Sequence, residues 1–374
     1  MSLTEGPELS IIGFDPTATD QIANALEHIE GNHHDSLLFA VARGGRLDGD
    51  IAGAASVTVS AIDPDGLDVI LTEVDAPERR LLFTEPIATV RDFQAQFRAM
   101  MAAAREGSPD HAVTSIEAEI AATAALVITV GTVSAVKRIA ANLLEITIGG
   151  LDEVPVRGGD EFHYLMVARP GAVDALSPDV SMQELQALPE DQQPIGAYYT
   201  ARARRPEAGE MDVWVVLHSD DHGVSGWASS AEPGESVALW GPRRGYEPPE
   251  GTTSHLLVAD ETGLAAVAAI IELLPEGHEI TAVLETAGPD CRPPMPEQPG
   301  LHLHWCDRNG AAPGTSGSLE RTVRGLAGAD GGVYAFGAAE SREIKEVRRY
   351  LRYELGLPAT QVHMTGYWRR DDES

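Results

Sequence analysis

The chain has 374 residues, 43% of them hydrophobic, and a formal net charge of -31 from 58 acidic and 27 basic side chains. That length suffices for two or three domains with cores of their own, and no run approaches the roughly 20 apolar residues that span a bilayer. So acidic a surface repels phosphate backbones and anionic lipid, which argues against nucleic-acid and membrane-surface partners, while the lack of a long apolar run argues against membrane insertion.

Only Lys137 and Lys345 are lysines, so an anionic ligand depends on a local cluster of arginines. The amino terminus has no basic region leading into an apolar run, and Cys291 and Cys306 are too few for a disulfide framework or a thiolate metal site. A cytoplasmic protein is expected.

In chain order, residues 1–110 read as a small α+β domain. A helical stretch over Asp20–Gly45 precedes two alternating runs joined by Asp63-Pro64-Asp65-Gly66, a hairpin turn signal. A strand over Arg79–Glu85 follows. Next comes a helix that aligns Val90, Phe93, Phe97, Met100 and Ala104, with Thr89 and Asp92 as its capping box. Arg105–His111 is polar and reads as a linker.

Residues 111–250 hold strand-like runs at Ala125–Val136, Asn142–Leu151, Phe162–Ala168, Met211–Ser219 and Glu235–Pro242, the pattern of an antiparallel β-barrel. Arg169–Pro194 reads as an insertion. Residues 251–374 alternate strand and helix, which implies a parallel, doubly wound α/β sheet with its ligand site at the carboxyl ends of the strands. There the helix after Glu340, read as capped by Ser341, aligns Ile344, Val347, Leu351 and Leu355.

Four constellations carry chemistry. Tyr198-Tyr199-Thr200-Ala201-Arg202 offers an aromatic for stacking, a hydroxyl and a guanidinium fork, although alone it equally describes an ordinary strand. His218–Ala228 brings a glycine turn to a helix start, a place for a pyrophosphate, yet any surface loop carries such residues. Val258–Ala265 sets Asp260, Glu261, Thr262 and Gly263 where a strand gives way to a helix; capping explains the two acids as well. Thr365-Gly366-Tyr367-Trp368-Arg369-Arg370 closes the chain with two aromatics and two arginines.

Together these stretches resemble the siderophore-interacting proteins, flavoproteins of the ferredoxin-reductase superfamily. The first resembles their Arg-x-Tyr-Thr-x-Arg motif, with Ala197 in place of the leading arginine. The second resembles His-Gly-x-x-Gly-Pro-Ala-Ser-x-Trp-Ala, one residue shorter and lacking the proline. The last resembles the terminal Gly-Tyr-Trp-Arg-x-Gly, with Asp371 at the final glycine. The resemblance implies a β-barrel binding FAD and an α/β domain admitting NADPH or NADH. Tyr199, Thr200, Arg202, His218, Gly223, Ser225, Trp227, Ala228, Asp260, Glu261, Thr262, Gly263 and Trp368 would then line the cofactors. Trp368 would cover a flavin face, and Arg369 would meet an anionic ferric siderophore. The flavin carries the chemistry, so no catalytic acid or base is expected. The alternative is a non-catalytic protein holding a ligand or haem on a degenerate reductase fold.

His28, His33 and His34 form a further cluster, open to a metal or haem but as readily a polar helix face; no metal ligands are assigned. His28, His33, Asp35 and Leu37 resemble a pattern in the small domain of split-barrel haem-utilisation proteins, which implies haem as a partner of this arm.

Overall fold

The computed structural model describes residues 9–44, 56–72, 74, 77–169, 176–218, 223–326 and 332–370. Gly45, Asp220, Asp221 and His222 therefore lie outside the described residues. Two compact units divide between Ala125 and Leu126.

The first unit runs β1 (Ser10–Ile11), α1 (Pro16–Asn32), α2 (His34–Phe39), β2 (Val57–Asp63), β3 (Gly66–Leu71), β4 (Glu78–Leu82), α3 (Val90–Gly107) and α4 (Ser115–Ala124), with its strands in the order β1-β2-β3-β4. At the turn between β2 and β3, Asp63 accepts from the amides of Asp65 and Gly66 at 2.9 and 3.1 Å. The capping box of α3 forms as its spacing predicts, Asp92 accepting from the Thr89 amide at 2.9 Å. Along α3, Met101 takes the buried position expected of Met100. Four residues on from Phe97, it lies about 40° off that residue's line, against about 60° for Met100. The polar stretch after Arg105 is short. It leads straight into α4, and Arg105 bonds Glu117 at 2.6 Å.

The second unit opens with β5 (Ile128–Ala140), β6 (Leu143–Gly149), β7 (Phe162–Val167), α5 (Met182–Ala187), β8 (Ile195–Arg205), β9 (Glu210–Val216), α6 (Gly223–Ala228) and β10 (Ser236–Arg243). Its six strands close into an antiparallel barrel, β10-β5-β6-β9-β8-β7, around Val133, Ile146, Leu165, Val213 and Leu239. Small and branched residues alternating inward let side chains fill so small a barrel.

β11 (Ser254–Ala259), α7 (Leu264–Leu273), β12 (Glu279–Thr286), β13 (Leu301–Asp307), α8 (Ser318–Gly325), β14 (Val333–Glu340), α9 (Ser341–Arg349) and β15 (Val362–Trp368) complete the unit. The sheet is wholly parallel in the order β13-β12-β11-β14-β15. α7 packs on one face with Leu257, Leu284 and Phe336; α8 and α9 cover the other with Leu319, Val323, Ile344 and Val347. The sheet is thus doubly wound, and strand order reverses between β11 and β14.

Two details differ from the sequence reading. Glu340, not Ser341, caps α9, accepting from the amides of Arg342 and Glu343 at 2.7 and 3.1 Å. Leu355 is exposed, because a π turn over Tyr350–Glu354 rotates it off the face of Ile344, Val347 and Leu351.

Candidate flavin and nucleotide site

On β8, side chains alternate between two sides of the barrel wall. Ala201 is buried in the barrel core; Ala197 and Tyr199 pack against the same cluster, which includes Val224 and Ala228 of α6. Burial pushes the Tyr199 hydroxyl up to about 12, so it is a neutral phenol. On the opposite side, Tyr198 is 51% exposed, edge-on to Phe162 and Tyr164 of β7. Thr200 is buried and lies beside the hydroxyl of Tyr367, which β15 brings from the sheet. Barrel and sheet meet at that pair.

Arg202 is committed elsewhere. Both its terminal nitrogens bond Glu272 of α7, at 2.8 and 2.9 Å, and its guanidinium lies 5.0 Å from the Trp214 ring centroid. It therefore braces the sheet domain against the barrel. Its neighbours are similarly engaged: Arg204 pairs with buried Glu161, and Arg205 with Asp212 at 2.5 Å. In so acidic a chain, each arginine on the end of β8 has found a carboxylate.

α6 begins at Gly223, exposed and left-handed at φ +69°, where no other described residue comes within 4 Å of the place a β-carbon would take. His218 is exposed, and its amide donates to Ser225 at 3.2 Å; the Ser225 hydroxyl in turn donates to the Val216 carbonyl at 2.9 Å. Ser225 thus anchors the base of the loop rather than facing outward. Trp227 donates its indole N–H to Glu235 at 2.6 Å, and Ala228 is buried beneath it in the barrel core.

At the carboxyl edge of the sheet, Asp260 sits where strand order reverses. One of its oxygens accepts from the Thr262 amide (2.8 Å) and hydroxyl (2.6 Å); the other accepts from the Glu340 amide (2.9 Å) and the Trp368 indole (2.7 Å). Burial raises its pKa against these four donors. Asp260 therefore ties β11 to β14 and β15. Glu261 accepts from Asn142 at 3.1 Å, from the Ala287 amide at 2.8 Å and from Arg308 at 2.6 Å. Arg308 also stands 3.6 Å from buried Glu285, so one guanidinium balances two carboxylates. Gly263 is fixed by packing: a β-carbon there would lie 2.2 Å from the Ala338 carbonyl.

The quoted residues thus fall into two groups. Tyr199 and Ala228 pack together where β8 meets α6, with Gly223 at the start of that helix and Thr200 on the other side of β8 near Tyr367, whereas Asp260, Glu261, Thr262 and Gly263 are bonded or packed into the frame of the sheet edge. Trp368 belongs with the second group through Asp260, and Arg369 is exposed just beyond it. Tyr367 stood in the terminal motif without a role toward the cofactor. The ladder with β14 shifts register here, Ala339 facing Gly366 and Glu340 facing Trp368, so Tyr367 is the extra residue of a bulge and strict alternation does not place its side chain. Asp160 was passed over. It is buried and accepts from the amides of Gly245 (3.1 Å) and Tyr246 (2.8 Å), and burial pushes its carboxyl up to about 6. In the first unit, His28 and His33 meet edge to face, their ring centroids 5.0 Å apart.

Comparison with known proteins gives a consistent picture. A family model described as a siderophore-interacting FAD-binding domain matches residues 132–246, and one described as a siderophore-interacting protein matches residues 252–371. An uncharacterised protein of Mycobacterium tuberculosis is 30% identical over 252 residues, 64% of this chain and 89% of that protein. The ferric vibriobactin reductase ViuB of Vibrio cholerae is 23% identical over 236 residues, 63% of this chain and 86% of ViuB. Among solved structures, a siderophore utilization protein from T. fusca superposes with a TM-score of 0.59 at 29% identity, covering 66% of this chain and 94% of that one.

Proposed function

Because the chain belongs to the siderophore-interacting protein family, we propose that its second unit binds FAD and uses NADPH or NADH to reduce Fe(III) held by a siderophore. Ferrous iron binds hard oxygen ligands more weakly, so reduction releases it. A cytoplasmic site of action, where reduced nicotinamide is available, goes with this reading. The observation that carries it is the packing of Tyr199 with Ala197, Val224 and Ala228 where β8 meets α6.

The residues present fit the ring end of FAD. Tyr199, a neutral phenol, would stack on the ring from the α6 side of β8, and Thr200 and Tyr367 bring hydroxyls to the other side of that strand. The phosphate end would depend on backbone amides at the start of α6, since Ala197 has no charge and Arg202 is held by Glu272. Bound there, FAD would supply the exchange between a two-electron donor and a one-electron acceptor. The protein's own part is to hold the ring and exclude water. Arg369, exposed next to Trp368, would draw an anionic ferric complex against the field of an acidic surface.

Tyr199→Ala and Thr200→Ala are expected to slow NAD(P)H-driven reduction of a ferric siderophore, followed as Fe(II) captured by a chromogenic chelator. Unchanged rates in both variants would overturn the site. Protein left colourless by excess FAD would instead favour a carrier of a ferric chelate or haem on the same fold.

A further inference from the structure

α1 ends at His33, which leaves helical geometry at φ -134° and ψ 39° before α2 begins. This break turns the His33 side chain, buried, onto α4. Ser115 and Glu119 lie four residues apart on α4 and hence on one face, and they bracket the imidazole. Nδ1 is 2.9 Å from the Ser115 hydroxyl, and Nε2 is 3.1 Å from a Glu119 carboxylate oxygen.

The tautomer follows from the next contact. Ser115 donates its hydroxyl proton to Asp35 at 2.5 Å, and its amide donates to the other Asp35 oxygen at 2.8 Å. With that proton committed, the Ser115 oxygen accepts from His33 Nδ1–H. The carboxylate–serine–histidine relay leaves the Nε2 lone pair facing the Glu119 carboxylate. A cation holds such a pair together, either a proton on Nε2 or a metal ion shared by both ligands. His28 brings a second imidazole: ligand atoms of His28, His33 and Glu119 all lie within 4.8 Å of one another. Three ligands at 2.1 Å from a common tetrahedral ion would stand about 3.4 Å apart. Closing the set takes a shift of about 1.4 Å at most, within reach of His28, which is exposed on α1.

We propose that His28, His33 and Glu119 bind a divalent first-row transition-metal ion, with Asp35 and Ser115 as positioning residues. Two imidazoles and one carboxylate, without thiolate, select this class over calcium or magnesium. The ligands edge a cavity of about 470 Å³ walled by Ile116, Ile120 and Ala124. The ion therefore keeps at least one coordination position for water or a small exogenous ligand, as reactive sites do and closed structural sites do not. The proposal is independent of the flavin reading, since every residue in it belongs to the first unit.

The test uses untagged, metal-stripped, full-length protein titrated with Co(II), whose visible d–d bands report nitrogen and oxygen coordination. The expected result is one tight equivalent per chain. Binding should be lost in His33→Ala and Glu119→Gln, lost or weakened in His28→Ala, and weakened about 10- to 100-fold in Asp35→Asn through loss of the relay. Because His28 is exposed, His28→Ala keeps the test valid even if His33→Ala fails to fold. No Co(II) binding by the wild type, or binding unchanged in the His28 and Glu119 variants, would overturn the proposal. So would a Soret band on haemin titration that needs His33 in a protein that ignores Co(II).

Discussion

Ala197→Arg puts a guanidinium back at the one position where the barrel motif departs most from its family. Ala197 pairs with Leu165 across the β7–β8 ladder and faces the same side as Tyr199, toward α6. A substituted arginine would lay its stem along that face and carry its charge toward the start of the helix. Arg202 cannot serve there while Glu272 holds both its terminal nitrogens. A hydrogen bond to a charged group contributes about 1.5–3 kcal/mol, so FAD should bind roughly 10- to 150-fold more tightly. The assay is fluorescence quenching on titration of the apoprotein with FAD. Ala197→Met serves as control, adding similar apolar length without charge, and the gain should shrink as ionic strength rises. Equal affinity in the Arg and Met variants would refute the placement of the flavin phosphates on this side of β8.

Tyr367→Phe removes the hydroxyl that meets Thr200 and should cost about 1 kcal/mol in the thermal transition of the second unit; Thr200→Val should cost a similar amount, and the double variant little more than either alone. Asp160 gives a pH signature. Its folded-state pKa, raised from 3.8 to about 6, means that the folded protein holds the proton more tightly than the unfolded chain. Its effect is therefore a loss of stability as pH rises from about 4 to about 6, flat above, amounting to roughly 3 kcal/mol. Asp160→Asn should remove that slope, and parallel melting curves for the two proteins across this range would count against it. Arg369→Ala should raise KM for an anionic ferric siderophore several-fold while leaving turnover with a neutral electron acceptor unchanged; equal KM values would remove Arg369 from the substrate path.

Much of the fold was legible because local chemistry sets it. The Thr89–Asp92 box, the Asp63–Gly66 turn and the alternation of strand and helix after Ser254 each need only neighbouring residues, and each forms as its spacing predicts. β15 was harder to see. It was read only as a terminal motif, and Gly366 within it is there because a β-carbon would lie 2.4 Å from the Ser341 hydroxyl. That close approach also takes Ser341 from its expected cap: its hydroxyl goes to the Trp368 carbonyl, and Glu340 caps α9.

The site was legible in its residue types and less so in their partners. Tyr199, Thr200 and Arg202 were all candidates from one motif, but the commitment of Arg202 to Glu272, 70 residues away, is tertiary. The same holds for Asp260, whose four donors come from three separate strands or their ends. Glu119 carried no signal at all, because its relation to His33 depends on the break after α1 and the packing of α4. The acidic composition did contain one usable hint: with 58 acidic residues and 27 basic ones, an arginine is rarely left for a ligand.

The central claim is tested most directly by incubating the purified protein with FAD, desalting it, and recording its spectrum before and after anaerobic addition of NADPH or NADH and then a ferric siderophore. The account predicts one flavin per chain, bleached by the reduced nicotinamide and restored as Fe(II) appears. A protein that retains no flavin, or a reduced flavin that the ferric complex leaves bleached, would contradict it.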